Sequence, residues 1–259
     1  MRVNYPKRGG KPRLSQTTTK GYKMKNVLSI QADAKTSKGV ELGFLTGILY
    51  LAPHTISGAG NTCPMAKVAQ CDKACLYSAG RGAMSPVQNA RIAKTKRFFN
   101  EQSEFMADVV YSINALIRKA KRENLTPLVR LNGTSDIRWE NVPVDGHANI
   151  FEAFPNVQFY DYTKIPNRRD IPSNYDLTFS YSGVDGWQKH VEKAKANKSL
   201  SRIAVVFSHR ERAPKTFNGW PVVDGDNTDV RHLDGTRKIV GLYAKGQAKK
   251  DASGFVVQV

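Results

Sequence analysis

Three cysteines, the only ones among 259 residues, fall in one short stretch as Cys63, Cys71 and Cys75, a C-x7-C-x3-C spacing. An odd set of thiols cannot pair off completely as disulfides. The chain opens Met1-Arg2-Val3-Asn4-Tyr5-Pro6 with no apolar run behind it, so no secretory signal is expected. Clustered thiols in such a chain point to a metal or a reactive centre rather than a disulfide framework. Three thiolates on one loop hold an iron–sulfur cluster with one iron left open, or three corners of a zinc site. Zinc usually takes four ligands in short paired spacings. No C-x2-C pair is present, and His54 is the only histidine near enough in sequence to complete a Cys3His set. Free buried thiols would behave as small hydrophobes, but the neighbouring Gly58, Gly60, Gly80 and Gly82 offer little apolar cover. A [4Fe–4S] cluster is therefore the expectation, with zinc the alternative.

The charge is lopsided: 40 Lys and Arg against 22 Asp and Glu give +18, with an isoelectric point near 9.9. Such a balance favours contact with DNA, RNA or another polyanion, although no recognised nucleic-acid-binding motif accompanies it. Lys7, Arg8, Lys11, Arg13, Lys20, Lys23 and Lys25 crowd into residues 1–26, which have almost no apolar periodicity. That stretch reads as a basic N-terminal arm. It is expected to dock on the domain, on a partner or on a polyanion, or simply to solubilise the chain. Lys7, Arg8, Lys11 and Arg13 are the candidate phosphate contacts. Residues 27–259 read as a single domain, and the 40% hydrophobic content of the chain is enough to build its core. No stretch approaches the roughly 18 apolar residues of a membrane span, so a soluble protein of a reducing cytosol is expected.

Beyond the arm, Leu42–Ala52 reads as one or two strands stopped by Pro53, and the cysteine loop follows at once. Ser85-Pro86-Val87-Gln88 predicts a helix start with Ser85 as cap, running to about Phe99. A second helix is predicted from Phe105, Met106, Val109, Val110, Ile113, Leu116, Ile117 and Ala120, whose spacing traces one apolar face read as core packing alone. Short apolar runs then alternate with polar ends. They are Leu128–Leu131, Val157–Tyr160, Leu177–Phe179, Ile203–Phe207, Pro221–Val223 and Ile239–Leu242, with one clear helix around Gly186–Ala196. Continuous apolar runs suit buried parallel strands. The predicted fold is α/β, a full or partial (β/α) barrel of mainly parallel strands. Only one clear helix between Val157 and Phe207 argues that the barrel is incomplete.

In such folds the working groups sit just past the strand C-termini. The cysteines, Asn132, Ser135, Asp136, Lys164, Ser182, His209 and Asp224 all occupy such positions. A carboxylate and a hydroxyl accept from an ammonium, which suits Ser135 and Asp136; a turn cap is the competing role for Asp136. Lys164 suits a carboxylate or phosphate, and His209 a proton carrier or a plain surface residue. Asp224, Asp226 and Asp229 lack the remaining oxygens of a calcium loop, so Asx-capped turns are the stronger reading.

The blocks Asn61-Thr62-Cys63-Pro64, Cys71, Cys75-Leu76-Tyr77, Ala79–Gly82 and Asn89–Thr95 resemble bacteriophage proteins of the gene-product-88-like family. So do Arg130–Asp136, Tyr160–Lys164 and Val223–Gly246, and the likeness covers roughly residues 40 to 250. It implies a phage origin, a cysteine-bound cluster and residence in the host cytoplasm. A more distant likeness is to radical S-adenosylmethionine enzymes. Their cysteine loop follows the first barrel strand, as here, but with C-x3-C-x2-C spacing, from which this chain departs. In those enzymes the loop after the second strand holds the methionine amino group. Asn132-Gly133-Thr134-Ser135-Asp136 occupies that place here. Three functions follow as expectations. One is an iron–sulfur, radical-S-adenosylmethionine-like redox enzyme. Another is a nucleic-acid-binding protein of phage replication or regulation whose cluster is structural or redox-sensing. The last is a zinc-stapled interaction module.

Overall fold

Each apolar run that ends in polar residues becomes a strand, and most of these strands are neighbours in chain order. The structure, a computed structural model, describes residues 25–31 and 34–259. Lys7, Arg8, Lys11 and Arg13 of the basic arm therefore lie outside the described residues. The strands are β1 (Leu28–Ile30), β2 (Phe44–Leu49), β3 (Thr126–Arg130), β4 (Gln158–Thr163), β5 (Tyr175–Ser180), β6 (Leu200–Phe207), β7 (Thr216–Phe217), β8 (Trp220–Asp224) and β9 (Ile239–Tyr243). They form one sheet in the order β1-β2-β3-β4-β5-β6-β9-β8-β7. All pairings from β2 through to β8 are parallel, as in Phe44↔Thr126, Phe159↔Tyr175 and Ile203↔Ile239. The two outermost pairs, β1 with β2 and β7 with β8, are antiparallel.

The α/β class and the parallel sheet are as the sequence predicts; a full barrel is not. Strands β1 and β7 stand at opposite edges, and among the described residues no pairing joins them. The order β2 to β6 is nevertheless singly wound. It has no reversal point of the kind that places ligands in doubly wound sheets, so all these strand ends line one continuous edge.

The helices are α1 (Ala34–Glu41), α2 (Ser85–Asn100), α3 (Gln102–Arg122), α4 (Ile150–Ala153) and α5 (Gln188–Ala196). The α2 start corrects the cap reading. Gln88 N donates to Met84 O at 3.0 Å, closing the first turn one residue early, and no side chain caps the end. Ser85 is thus inside the helix. In α3, Phe105, Met106, Val109, Ile113, Leu116 and Ala120 are buried as their spacing predicts. Each large apolar side chain among them is worth roughly 1.5–3 kcal/mol of burial. The same helix also buries polar groups, which corrects the reading of core packing alone. Asp108 accepts the Lys25 N–H at 2.8 Å and Ser112 accepts the Val27 N–H at 2.9 Å. These bonds tie the last residues of the predicted arm to the domain and lead into β1.

Side-chain alternation gives the sheet two unlike faces. Val129, Phe159, Leu177, Phe179, Ile203 and Val205 point into the main apolar core with α3 and α5. A bulge between Leu177 and Thr178 in the pairing with β6 keeps both Leu200 and Ile203 in that core. The second face carries Arg130, Tyr160, Tyr162, Asp176, Thr178 and Arg202. Asp229 accepts from Arg130 Nη1 and from the Tyr160 hydroxyl, each at 3.0 Å. Arg202 pairs with Asp176, and Arg231 with Asp234 at 2.9 Å. Val230 packs on Leu128 and Tyr160. The segment Asp229–Asp234, which includes a 3-10 turn at Arg231–Leu233, therefore covers this face with ion pairs rather than aliphatic layers.

Candidate metal centre

The loop between β2 and α2 brings all three cysteines to the C-terminal edge of the sheet. Its path is pinned from several sides. Thr62 Oγ1 donates to Ala52 O at 2.8 Å, closing the loop on itself. Asp136 N donates to Thr62 O at 2.8 Å, and Thr134 Oγ1 donates to Leu51 O at 2.5 Å. Those two bonds join it to the loop after β3. Ser182 Oγ, just past β5, donates to Ala69 O at 2.8 Å. Gly133 allows the close approach: a Cβ there would lie 2.7 Å from both Ile48 Cγ2 and Tyr50 Cδ1, and 2.8 Å from Leu49 O.

Cys63, Cys71 and Cys75 are free and half-buried. Burial pushes the Cys63 thiol up to about 12, against bonds from the His54 main chain and Thr62, with Asp136 and Cys75 adding to the rise. Burial pushes Cys75 up to about 11, with Cys71 adding to the rise. Cys71 is also raised by burial, and Lys164 opposes the rise. Burial thus acts on these thiols in the direction opposite to the depressed pKa values of activated cysteine nucleophiles. A coordinated metal deprotonates thiols outright. Among the described residues, no three His, Cys, Asp or Glu side chains are gathered closely enough to hold a single metal ion. The His54 ring lies with its Nδ1 3.3 Å from Thr55 Oγ1.

Lys164 is buried beside the thiols. Its ammonium donates to Ser180 Oγ at 2.9 Å, Tyr181 O at 3.0 Å and Ser180 O at 3.3 Å. Those three acceptors match its three N–H groups. The Phe255 and Trp187 rings lie 4.7 and 5.5 Å from Nζ. Burial lowers its pKa, and the charges of Cys71, Asp136, Cys63 and Cys75 raise it. Lys164 is thus a held cation within electrostatic reach of every cysteine.

The other strand-end residues organise the loops. Asn132 Oδ1 accepts from Ser135 Oγ at 2.8 Å, Ile137 N at 2.9 Å and Trp139 Nε1 at 3.0 Å. Asp136 Oδ2 accepts the Lys164 N–H at 2.8 Å, which is the cap role. Its Oδ1 is buried, 3.7 Å from Arg168 Nη1, with no hydrogen-bond donor. His209 is exposed, with Nδ1 3.0 Å from Ser208 Oγ. Asp224 Oδ1 accepts the Asp226 N–H at 2.8 Å in an Asx turn, while Asp229 points to Arg130 and Tyr160. The hard-cation reading of these three aspartates gives way to the turn reading. Sequence reasoning gave Arg91 no role. It is buried on α2 beside Cys75, and the signal available was its i, i+4, i+7 alignment with buried Thr95 and Phe98.

No helix among the described residues is long and apolar enough to cross a membrane. Comparison with curated proteins and with solved structures finds no match for this chain. The family model for gene product 88 does match, over residues 17–259, so the cysteine loop, the strand ends around it and the chain that carries them belong to the gene product 88 family of phage proteins.

Proposed function

We propose that this phage protein is an iron–sulfur protein in which Cys63, Cys71 and Cys75 hold a [4Fe–4S] cluster at the C-terminal edge of the sheet. The observation that carries this reading is the buried Lys164 ammonium, fully bonded and electrostatically coupled to all three thiols. A metal–thiolate centre is net negative, and a fixed buried cation beside it lowers the cost of that charge. Such a cluster, when bound, supplies one-electron chemistry at an iron that no cysteine holds. Asn132, Ser135 and Ser182 shape the loops around it.

S-adenosylmethionine is the ligand to test first. Asp136 Oδ1 accepts no hydrogen bond and lies 3.7 Å from Arg168 Nη1, so an ammonium there would share the carboxylate with that guanidinium. The enzyme reading, a radical-S-adenosylmethionine-like redox protein, depends on that ligand binding. Anaerobic reconstitution followed by iron and sulfide analysis tests the cluster. The wild type should hold about four irons per chain and be brown, and Cys71→Ala should lose both. A colourless wild type without iron overturns the cluster.

The net charge of +18 supports a second reading, a nucleic-acid-binding role with the cluster structural or redox-sensing. Binding to DNA or RNA should then fall steeply with salt and weaken when residues 1–26 are removed. Salt-independent or undetectable binding overturns that role.

A further inference from the structure

The winding of the sheet reverses beyond β6. The chain leaves β6 for β7 and β8 at the edge, then returns to lay β9 between β6 and β8. The loops that leave β6 and β9 diverge. The one after β6 packs Ala213 and Phe217 against the main core, to which Val205 and Phe207 of β6 belong. The one after β9 packs Ala244, Ala248, Phe255 and Val256 with Val206, on the other side of that strand. Loops that part in this way open a crevice past the strand C-termini, and open α/β sheets bind ligands in such crevices. A cleft of about 660 Å³ lies there, between residues 208–211 and residues 244–258. That volume falls within the range of small-molecule sites.

The cleft has an apolar side and a side of N–H donors. Ala244, Ala248 and Val256 supply the first, and His209, Arg210 and Lys249, all exposed, supply the second. Arg210 bonds Asp224 and Asn227 through Nη2. That contact holds the guanidinium in place and leaves Nε and Nη1 for a ligand. His209 Nδ1 lies 3.0 Å from Ser208 Oγ, which leaves Nε2. Two acids also line the cleft. Asp251 is engaged by its own loop, accepting from Ser253 N at 3.1 Å, Ser253 Oγ at 2.5 Å and Val256 N at 2.9 Å. Glu211 is exposed and is the acid there that opposes an incoming anion.

We propose that this cleft binds a small organic phosphate of about mononucleotide size. Arg210 and Lys249 take the phosphate, whose oxygens accept charge-assisted hydrogen bonds from both. The alanine side takes the carbon skeleton. The assignment is independent of any cluster at the cysteines.

The test is isothermal titration calorimetry of the full-length chain at fixed ionic strength. The probes are adenosine 5′-monophosphate, ribose 5-phosphate and inorganic phosphate. At least one organic phosphate should bind at a single site per chain, and more tightly than inorganic phosphate. Lys249→Ala should weaken it by about tenfold, as expected for the loss of one charge-assisted hydrogen bond. Glu211→Gln should tighten it. Lys121→Ala, an exposed lysine on α3, should leave it unchanged. Arg210→Gln serves as the second variant if Lys249→Ala shifts the urea unfolding midpoint. No binding of either organic phosphate at millimolar concentration overturns the proposal. Equal weakening by Lys249→Ala and Lys121→Ala also overturns it, because the attraction would then belong to the net charge of +18 and not to the cleft. Inorganic phosphate bound as tightly as the organic probes overturns the role of the alanine side.

Discussion

Asp136 Oδ2 accepts the main-chain N–H of Lys164 at 2.8 Å, and this bond locks the loop after β3 to the end of β4. The same loop holds the cysteine segment through the Asp136 N–H to Thr62 O bond. One residue therefore sets the spacing between Cys63 and the buried ammonium. Asp136→Ala leaves the Lys164 N–H without its acceptor and the buried Arg168 with Glu140 as its remaining carboxylate. The expected loss is about 1–3 kcal/mol, read from urea unfolding. Asp136→Asn keeps a carbonyl acceptor and should lose less. Equal stability of the alanine variant and the wild type would refute the linkage.

Asp229 should be among the costliest residues to remove. Its Oδ2 accepts from both Arg130 and Tyr160 on the second face of the sheet. Truncating it leaves a buried guanidinium without its closest anion, for which about 3–5 kcal/mol is expected. Asp229→Ala should lower the unfolding midpoint accordingly. Adding Arg130→Met to that variant should recover part of the loss, because the stranded charge goes with it. Additive losses in this double-mutant cycle would show that the two residues do not act as a pair.

Lys94 gives a pH signature. Burial lowers its pKa from 10.5 to about 8, with Arg91 adding to the fall, while Nζ donates to Val27 O at 3.2 Å. Below pH 8 the folded and unfolded chains both carry the proton. Between pH 8 and 10.5 the unfolded chain binds more protons, so the contribution of Lys94 to stability rises with pH across that window and is flat above it. Subtracting the profile of Lys94→Met from that of the wild type isolates the term. A flat difference between those pH values would mean that Lys94 titrates as a solvated lysine.

The apolar runs determine locally where strands form, because a continuous run of Val, Leu, Ile and Phe ends wherever Asp, Ser or Asn competes for the backbone. That is why β3 to β6, β8 and β9 are legible in the sequence, with their ends displaced by one to three residues, and so is the apolar face of α3. The cysteine spacing likewise marks the candidate centre without any structure. Sheet closure is different. It depends on strand tilt and on pairing between the first and last strands, which no local pattern encodes; here, among the described residues, β1 and β7 stand as unjoined edges. Short β1 is also illegible, since it is placed by Asp108 and Ser112 of α3. The same holds for the charges around the thiols. Lys164 reads as a partner for a carboxylate or phosphate until Ser180 and Tyr181 at the end of β5 supply its acceptors, and Arg91 reads as one base among many until Tyr50 and Tyr77 close over it. A side chain's identity is local, but its burial and its partners are set by residues far away in the chain. Residue type and spacing alone therefore named the sulfurs, and only the tertiary structure decided which cations face them.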